Sequence, residues 1–422
     1  MLLGVLVSSL SPKILAHTFK GNFITEHKAD QLIVKYRNSF TQFDLKGATI
    51  LHTYDSGAIL LEVPSYFSGL EDFAEELVSD AHDDIEYVEP NYKIHINVLP
   101  TDPAFSRLWG LNSASDIDID APEAWDITKG SKKVLVGIID TGVDCKHLDL
   151  LANCAVNPGE MGKDATGADK STNNKDDDGN GYIDDWRGWD FVNNDNDPTD
   201  DQGHGSHVAG TIGAVGNNGA GVVGVNWQVS MLPLKFLDAT GSGSLDDAVR
   251  AIEYSTKMGV AMTNNSWGGG GYSKTMFAAI KAAQDKGILF IAAAGNESNN
   301  NDLNPSYPAS YALDNLISVA AIDQFNNLPR FSNYGAKSVH LAAPGVGIYS
   351  TYLNNSYATL SGTSMAAPHV TGAAALVKAA APTATAADIK RRLLAGVDKT
   401  PMLDKKVASG GRLNVNTAVR KP

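Results

Sequence analysis

Hydrophobic positions divide the chain near residue 100 into two differently patterned stretches. In residues 28–95, Gln31-Leu32-Ile33-Val34-Lys35-Tyr36 and Ala58-Ile59-Leu60-Leu61-Glu62-Val63 alternate or run apolar as short strands do. Over 66–81, Phe67, Leu70, Phe73, Leu77 and Val78 recur at three- and four-residue steps, which is one face of a helix. Ile85-Glu86-Tyr87-Val88-Glu89-Pro90-Asn91-Tyr92 closes this stretch. From Val134 onward, near-continuous apolar runs predict strands over 134–139, 229–236, 260–264, 288–293 and 316–321. Between and after them, helical periodicity predicts helices over 208–215, 245–258, 276–286 and 365–381. Strands apolar throughout and alternating with helices indicate a parallel sheet covered on both faces.

Composition narrows the class. The length of 422 residues suggests about two or three domains, and 43% hydrophobic residues, 8% of the chain being aromatic, supply a large core. A net charge of −14 leaves no basic stripe for phosphates, so nucleic acid is excluded as a partner. Much of the acid sits in residues 176–201, a distribution that points to cations. The chain opens on Met1-Leu2-Leu3-Gly4-Val5-Leu6-Val7-Ser8-Ser9-Leu10, short and apolar, with Ala16 shortly after. Residues 1–20 read as a candidate secretory signal without the usual basic start, or as a frayed extension; secretion is the expected localisation. No run of 18 apolar residues occurs elsewhere, and residues 370–381 are interrupted by Lys378, so membrane insertion is not expected. The two cysteines, Cys145 and Cys154, have eight residues between them; a bridge and two separate thiols both stay open on spacing alone.

Three short blocks carry chemistry. Ile138-Ile139-Asp140-Thr141-Gly142 ends an apolar strand on a carboxylate, where sites form in open α/β sheets; standing alone, Asp140 would pass for a turn residue. Gly203-His204-Gly205-Ser206-His207 runs into an apolar helix, and it lacks both the His-Glu-x-x-His spacing and a third ligand of a zinc site. Ser361-Gly362-Thr363-Ser364-Met365-Ala366-Ala367-Pro368 puts a serine at a helix start, a capping position that also favours developing negative charge. A serine hydroxyl attacks only when a base takes its proton, and that base needs a carboxylate to fix its tautomer. Separately, Asn174, Asp176, Asp178 and Asp185 stand at positions 1, 3, 5 and 12 of a segment with Gly179 at position 6. That approximates an EF-hand loop and predicts Ca2+.

The blocks, in the order Asp, His, Ser, resemble the subtilase family, the relatives of subtilisin and thermitase; the order is that of subtilisin itself. The resemblance covers nearly all of residues 100–422, through Gly411-Arg412-Leu413-Asn414. It implies a subtilisin-like three-layer α/β fold over 102–422, with a mainly parallel sheet covered by helices. It implies a serine endopeptidase whose triad is Asp140, His204 and Ser364, with His207 a packed structural histidine. Ala292-Ala293-Ala294-Gly295-Asn296-Glu297 is similar to the family's oxyanion segment, which makes the Asn296 amide one donor and the Ser364 N–H the other. Asn265-Ser266-Trp267-Gly268-Gly269 and Thr240-Gly241-Ser242-Gly243-Ser244 resemble the segments that pair with an extended polypeptide, so Ser242, Gly243, Ser266, Trp267 and Gly268 are implied to bind substrate. Ser306 falls at the floor of the family's S1 pocket. A small residue there, with no charged one evident, implies broad specificity with a preference for large apolar P1 side chains.

Structural calcium is implied twice more. Asp190, Asn193, Asp195 and Asp197 resemble a thermitase-type site. Asp102, Asp149 and Asn218, with the carbonyls of Val215, Ala220 and Val222, resemble the family's tight site, although Leu148 stands where proline is usual. Residues 28–95, ending in Tyr87-Val88-Glu89-Pro90-Asn91, resemble the small ferredoxin-like α/β propeptide that inhibits the enzyme until it is cut away, with a processing junction at 96–101. A self-maturing monomer is expected. The competing class is a catalytically silent, calcium-stabilised binding module on the same fold; such descendants lose Ser, His or the oxyanion Asn, and this chain keeps all three.

Overall fold

The computed structural model describes residues 19–21, 23, 27–37, 45–80, 84–93 and 99–420, and the chain divides into two compact units, Met1–Ile96 and Asn97–Pro422. The signal expected over 1–20 lies almost wholly outside the described residues, as do residues 96–98 of the junction expected over 96–101.

The first unit contains β1 (Phe19–Lys20), β2 (His27–Tyr36), β3 (Thr49–Thr53), β4 (Ala58–Glu62), α1 (Leu70–Asp80) and β5 (Ile85–Tyr92). The strands form one sheet in the order β1-β5-β2-β4-β3, with β2 antiparallel to both β4 and β5. Leu32 and Val34 of β2, Leu61 of β4 and Val88 of β5 pack with Phe73 and Leu77 of α1 into one apolar cluster. The helix begins at Leu70, four residues later than the spacing suggests. Gly69 contributes the carbonyl that accepts the first helical N–H, from Phe73. Phe67 still meets Phe73 edge to face at 4.8 Å, which is why it falls on the helical period without being helical. A ferredoxin-like pattern has two helices; the described residues of this unit contain one.

The second unit is built on α2 (Ala121–Trp125), β6 (Gly130–Asp140), β7 (Trp189–Asp190), α3 (His204–Gly213), β8 (Gln228–Lys235), α4 (Leu245–Lys257), β9 (Met262–Asn265), α5 (Lys274–Asp285) and β10 (Leu289–Ala293). It continues through β11 (Leu316–Ile322), β12 (Leu341–Pro344), β13 (Ile348–Tyr352), β14 (Ser356–Leu360), α6 (Thr363–Ala380), α7 (Ala386–Ala395), β15 (Asp398–Lys399), β16 (Gly411–Arg412) and α8 (Val415–Arg420). Nine strands form one sheet in the order β15-β16-β12-β11-β10-β9-β6-β8-β7, parallel except for the β15–β16 pair. Strand β10 shows why these runs are apolar throughout. Leu289, Ile291 and Ala293 enter a core with α3 and α6, while Phe290 and Ala292 enter a second core with α4 and α5. Helices therefore cover both faces, as the sequence pattern implies. From β6 the chain builds β8 and β7 on one side and β9 to β12 on the other. The strand order reverses at β6, and a site forms at the carboxyl end of such a strand.

Candidate active site

Asp140 is the last residue of β6 and is wholly buried. Its Oδ1 accepts the Thr141 N–H at 2.8 Å and His204 Nδ1–H at 2.7 Å. His204 is the first residue of α3, and glycine places it there: a Cβ on Gly205 would lie 2.1 Å from the Gly142 carbonyl oxygen. Because Nδ1 donates to the carboxylate, Nε2 is left as the basic atom. Burial disfavours the charged imidazolium, but the charge and hydrogen bond of Asp140, and the charge of Asp200, outweigh it and raise the His204 pKa above its ordinary value.

Ser364 stands on the first turn of α6, and Pro368 follows four residues on. Proline has no N–H for the Ser364 carbonyl, which would otherwise be left without a partner. Ser266 fills the gap: its hydroxyl donates to the Ser364 carbonyl at 2.8 Å, while Ser364 Oγ donates to the Ser266 carbonyl at 2.9 Å. Asn296 follows the β10 carboxyl end, and its Oδ1 accepts the Thr363 N–H at 2.9 Å and the Thr363 hydroxyl at 3.0 Å. Those two donors fix the amide orientation and leave Nδ2 free to donate.

Two concavities adjoin these groups. One, of about 700 Å³, is lined by His204, Ser242, Gly243, Ser266, Trp267 and Gly268. The other, of about 380 Å³, is lined by Ser364, Asn296, Trp267, Gly268, Ser306 and also Glu297. No charged residue was evident at that pocket from sequence; Glu297 is one, with Oε2 accepting from Asn333 Nδ2 at 2.7 Å. Its place directly after Asn296 was the available signal.

The acidic residues gather in three places. Asp102 and Asp149, both buried, face the same loop: Asn217 and Asn218 donate backbone N–H groups to Asp102, and Asn218 Nδ2, the Val222 N–H and the Tyr357 hydroxyl donate to Asp149. Val215 donates its N–H to the Asp149 carbonyl, and the Ala220 N–H to Asn218 Oδ1. Asp190 folds over the Val192 and Asn193 N–H groups, Asp195 over Asp197, and Asp197 over Thr199, a chain of tight turns. In the third place the expected ligand set changes. Asp178 and Asp185 come together with Glu160, their carboxylate oxygens within 4.8 Å of one another. Asn174 instead donates its N–H to the Asp184 carboxylate, and Asp176 accepts the Gly179, Asn180 and Gly181 N–H groups. Sequence spacing missed Glu160 because it lies in a separate turn, Asn157-Pro158-Gly159-Glu160. Cys145 and Cys154, left open by spacing, are joined by a disulfide.

A parallel α/β sheet with a buried Asp bonded to a half-buried His at its carboxyl end, and a serine heading a central helix, is the arrangement of an Asp-His-Ser hydrolase. The sequence pattern of the subtilase family matches residues 131–410, and the chain belongs to that family of serine endopeptidases, with a subtilisin-like α/β fold. It is 38% identical over 295 residues to the thermophilic serine proteinase of Bacillus sp. (strain AK1), spanning 69% of this chain and 63% of that protein, less than two thirds of its length. It is 39% identical over 279 residues to thermitase of Thermoactinomyces vulgaris, 66% of this chain and 85% of thermitase. Subtilisin DY of Bacillus licheniformis is 38% identical over 288 residues and 91% covered. Among solved structures, a protease from Pseudoalteromonas arctica PAMC 21717 superposes with a TM-score of 0.63 at 28% identity, over 76% of this chain and 99% of that one.

Proposed function

We propose that this chain cuts peptide bonds in extended polypeptides through an acyl-enzyme on Ser364. His204 acts as base and then acid, Asp140 orients it, and Asn296 Nδ2 with the Ser364 N–H receives the oxyanion. The observation that supports this most is the 2.7 Å His204–Asp140 bond beside concavities that carry Ser266, Ser364 and Asn296. The Ser364 hydroxyl turns from the Ser266 carbonyl to His204 Nε2 and gives up its proton as Oγ bonds to the substrate carbonyl carbon. The carbonyl electron pair moves onto oxygen, toward Asn296. Collapse breaks the C–N bond, the leaving amine takes the proton from His204, and water repeats the sequence to release the acid.

Substrate lies as an added strand along the segments holding Ser242, Gly243, Ser266, Trp267 and Gly268. Ser306 leaves room for a large apolar P1 side chain, and Glu297 extends the range to long side chains ending in a cation. Residues 28–95, within the first unit, serve as the inhibitory propeptide, cut within 96–101 by the enzyme itself. The disulfide suits an oxidising compartment and thus a secreted enzyme, which acts as a monomer in this reading. Among the described residues no helix is long and apolar enough to cross a membrane.

Structural calcium fits the carboxylate group best. Glu160 and Asp185 are wholly buried, and Glu160 Oε2 has no hydrogen-bond partner although Oε1 accepts two N–H groups. Three hard oxygen donors with one oxygen unsatisfied suit Ca2+. When bound, the ion offsets the mutual repulsion of these carboxylates and ties their loops together. The test is cleavage of unfolded casein by wild type and by Ser364→Ala, with calcium and with chelator. Serine-dependent cleavage, an uncut Ser364→Ala precursor and a lower melting temperature on chelation are expected. Cleavage by Ser364→Ala would refute the nucleophile, and an unchanged melting temperature would refute the calcium.

A further inference from the structure

We propose that Asp200 is a second buried carboxylate acting on His204, a positioning residue that holds the head of α3 and keeps the imidazole basic. This rests on reading His204 as the general base.

The N-cap of α3 is Gly203, at φ 105°, which offers no side chain to the free N–H groups of the first turn. Asp200, only 5% exposed, supplies both oxygens in its place. Its Oδ1 accepts the Gln202 N–H at 3.0 Å and the Gly203 N–H at 2.8 Å. Its Oδ2 accepts the Ser206 N–H at 2.8 Å and the Ser206 hydroxyl at 2.7 Å. The fifth donor is the hydroxyl of Thr141, the residue after Asp140, at 2.9 Å; Thr141 Oγ1 in turn accepts the Gly205 N–H at 2.9 Å. The backbone on both sides of His204 is therefore tied, directly or through Thr141, to one carboxylate that also grips the end of β6. This network fixes the imidazole relative to Asp140.

The charge has a second effect. A helix N-terminus carries partial positive charge, which opposes an imidazolium on the first residue. A carboxylate seated there reverses that local field. The other charged groups facing this corner do not substitute for it. Asp140 already bonds His204. Asp144 accepts N–H groups from Lys146 and Asn354. Lys235 on β8 is tied to Asp201 and to the Thr141 and Leu237 carbonyls. His207, one turn along, is held neutral by burial, its pKa pushed down to about 4.

The test follows the His204 imidazole by NMR in full-length Ser364→Ala protein, which needs no activity. Asp200→Asn in that background is expected to lower the His204 midpoint by about one pH unit. Ser206→Ala, which removes one bond to Asp200 but no charge, should leave the midpoint in place. In the active chain, Asp200→Asn should move the acid limb of kcat/KM down equally and lower kcat about tenfold with little change in KM, and Asp200→Glu should restore part of both. A folded Asp200→Asn protein with an unmoved midpoint overturns the proposal. Should that variant not fold, Thr141→Val, which cuts the link to β6 and keeps both charges, must lower kcat without moving the midpoint; an unchanged kcat also overturns it. Full activity in Ser364→Ala would instead sink the underlying protease reading, whatever His204 does.

Discussion

Asn296 shows how much depends on which end of a side chain is held. Thr363 anchors its Oδ1 twice, so only the NH2 end is left to donate, as its proposed oxyanion role requires. Replacing it with alanine should lower kcat by about two to three orders of magnitude with KM little changed, the size of one lost oxyanion donor. Steady-state kinetics on a peptide anilide measure this, and a loss below tenfold would remove Asn296 from that role. The sequence made Asn296 legible through its neighbours but left Glu297 and Asp200 unread. Adjacent letters do not show which side chain turns into a pocket, or which carboxylate curls back over a helix start. Glu160 was hidden for a related reason: its partners are 18 and 25 positions away, and only the fold of the intervening loops brings them together.

Among the elements, α3 fits closely against the turn that follows β6. The Cβ introduced by Gly205→Ala would sit 2.1 Å from the Gly142 carbonyl oxygen and 3.2 Å from the Asp140 Cβ, so the helix head must move away from β6. Stability should fall by about 1–3 kcal/mol, as for an overpacked core, and kcat by more than tenfold; denaturant melts and kinetics on the same sample read both. An unperturbed variant would show that the contact yields freely. The parallel strands β6, β8, β10 and β11 were legible because burial on both faces demands unbroken apolar runs. Strand β3, exposed at all five positions, leaves no such trace. Strand β12, Leu341-Ala342-Ala343-Pro344, is buried but short and ends on proline, so nothing in it separates strand from loop. The hairpin of β13 and β14 turns through Asn354 and Asn355, both at φ 56°, an Asn-Asn signal that was present and unread.

At the scale of the molecule, buried histidines set an acid limit on stability. Burial pushes the pKa of His207 down to about 4 and that of His369 down to about 4. The unfolded chain takes up these protons near pH 6.5, whereas the folded one resists until about pH 4. The stability that these two neutral histidines contribute is therefore full above about pH 6.5 and is lost as pH falls through that window, by roughly 2–3 kcal/mol for each. Melting of Ser364→Ala protein, which escapes self-digestion, should show the melting temperature dropping between pH 7 and 4. A profile just as steep after His207→Asn would refute the assignment of its share.

Helix α6 carries Ser364, the proposed nucleophile, on its first turn, and every residue from Met365 to Val377 is buried. Fraying of surface loops leaves such a helix in place; it comes apart only when the whole second unit does. Loss of the Ser364 position is thus an all-or-none event for each molecule. As far as Ser364 is concerned, a heated sample holds intact and lost copies rather than a graded population. A burst titration of its serines would count how many molecules remain folded.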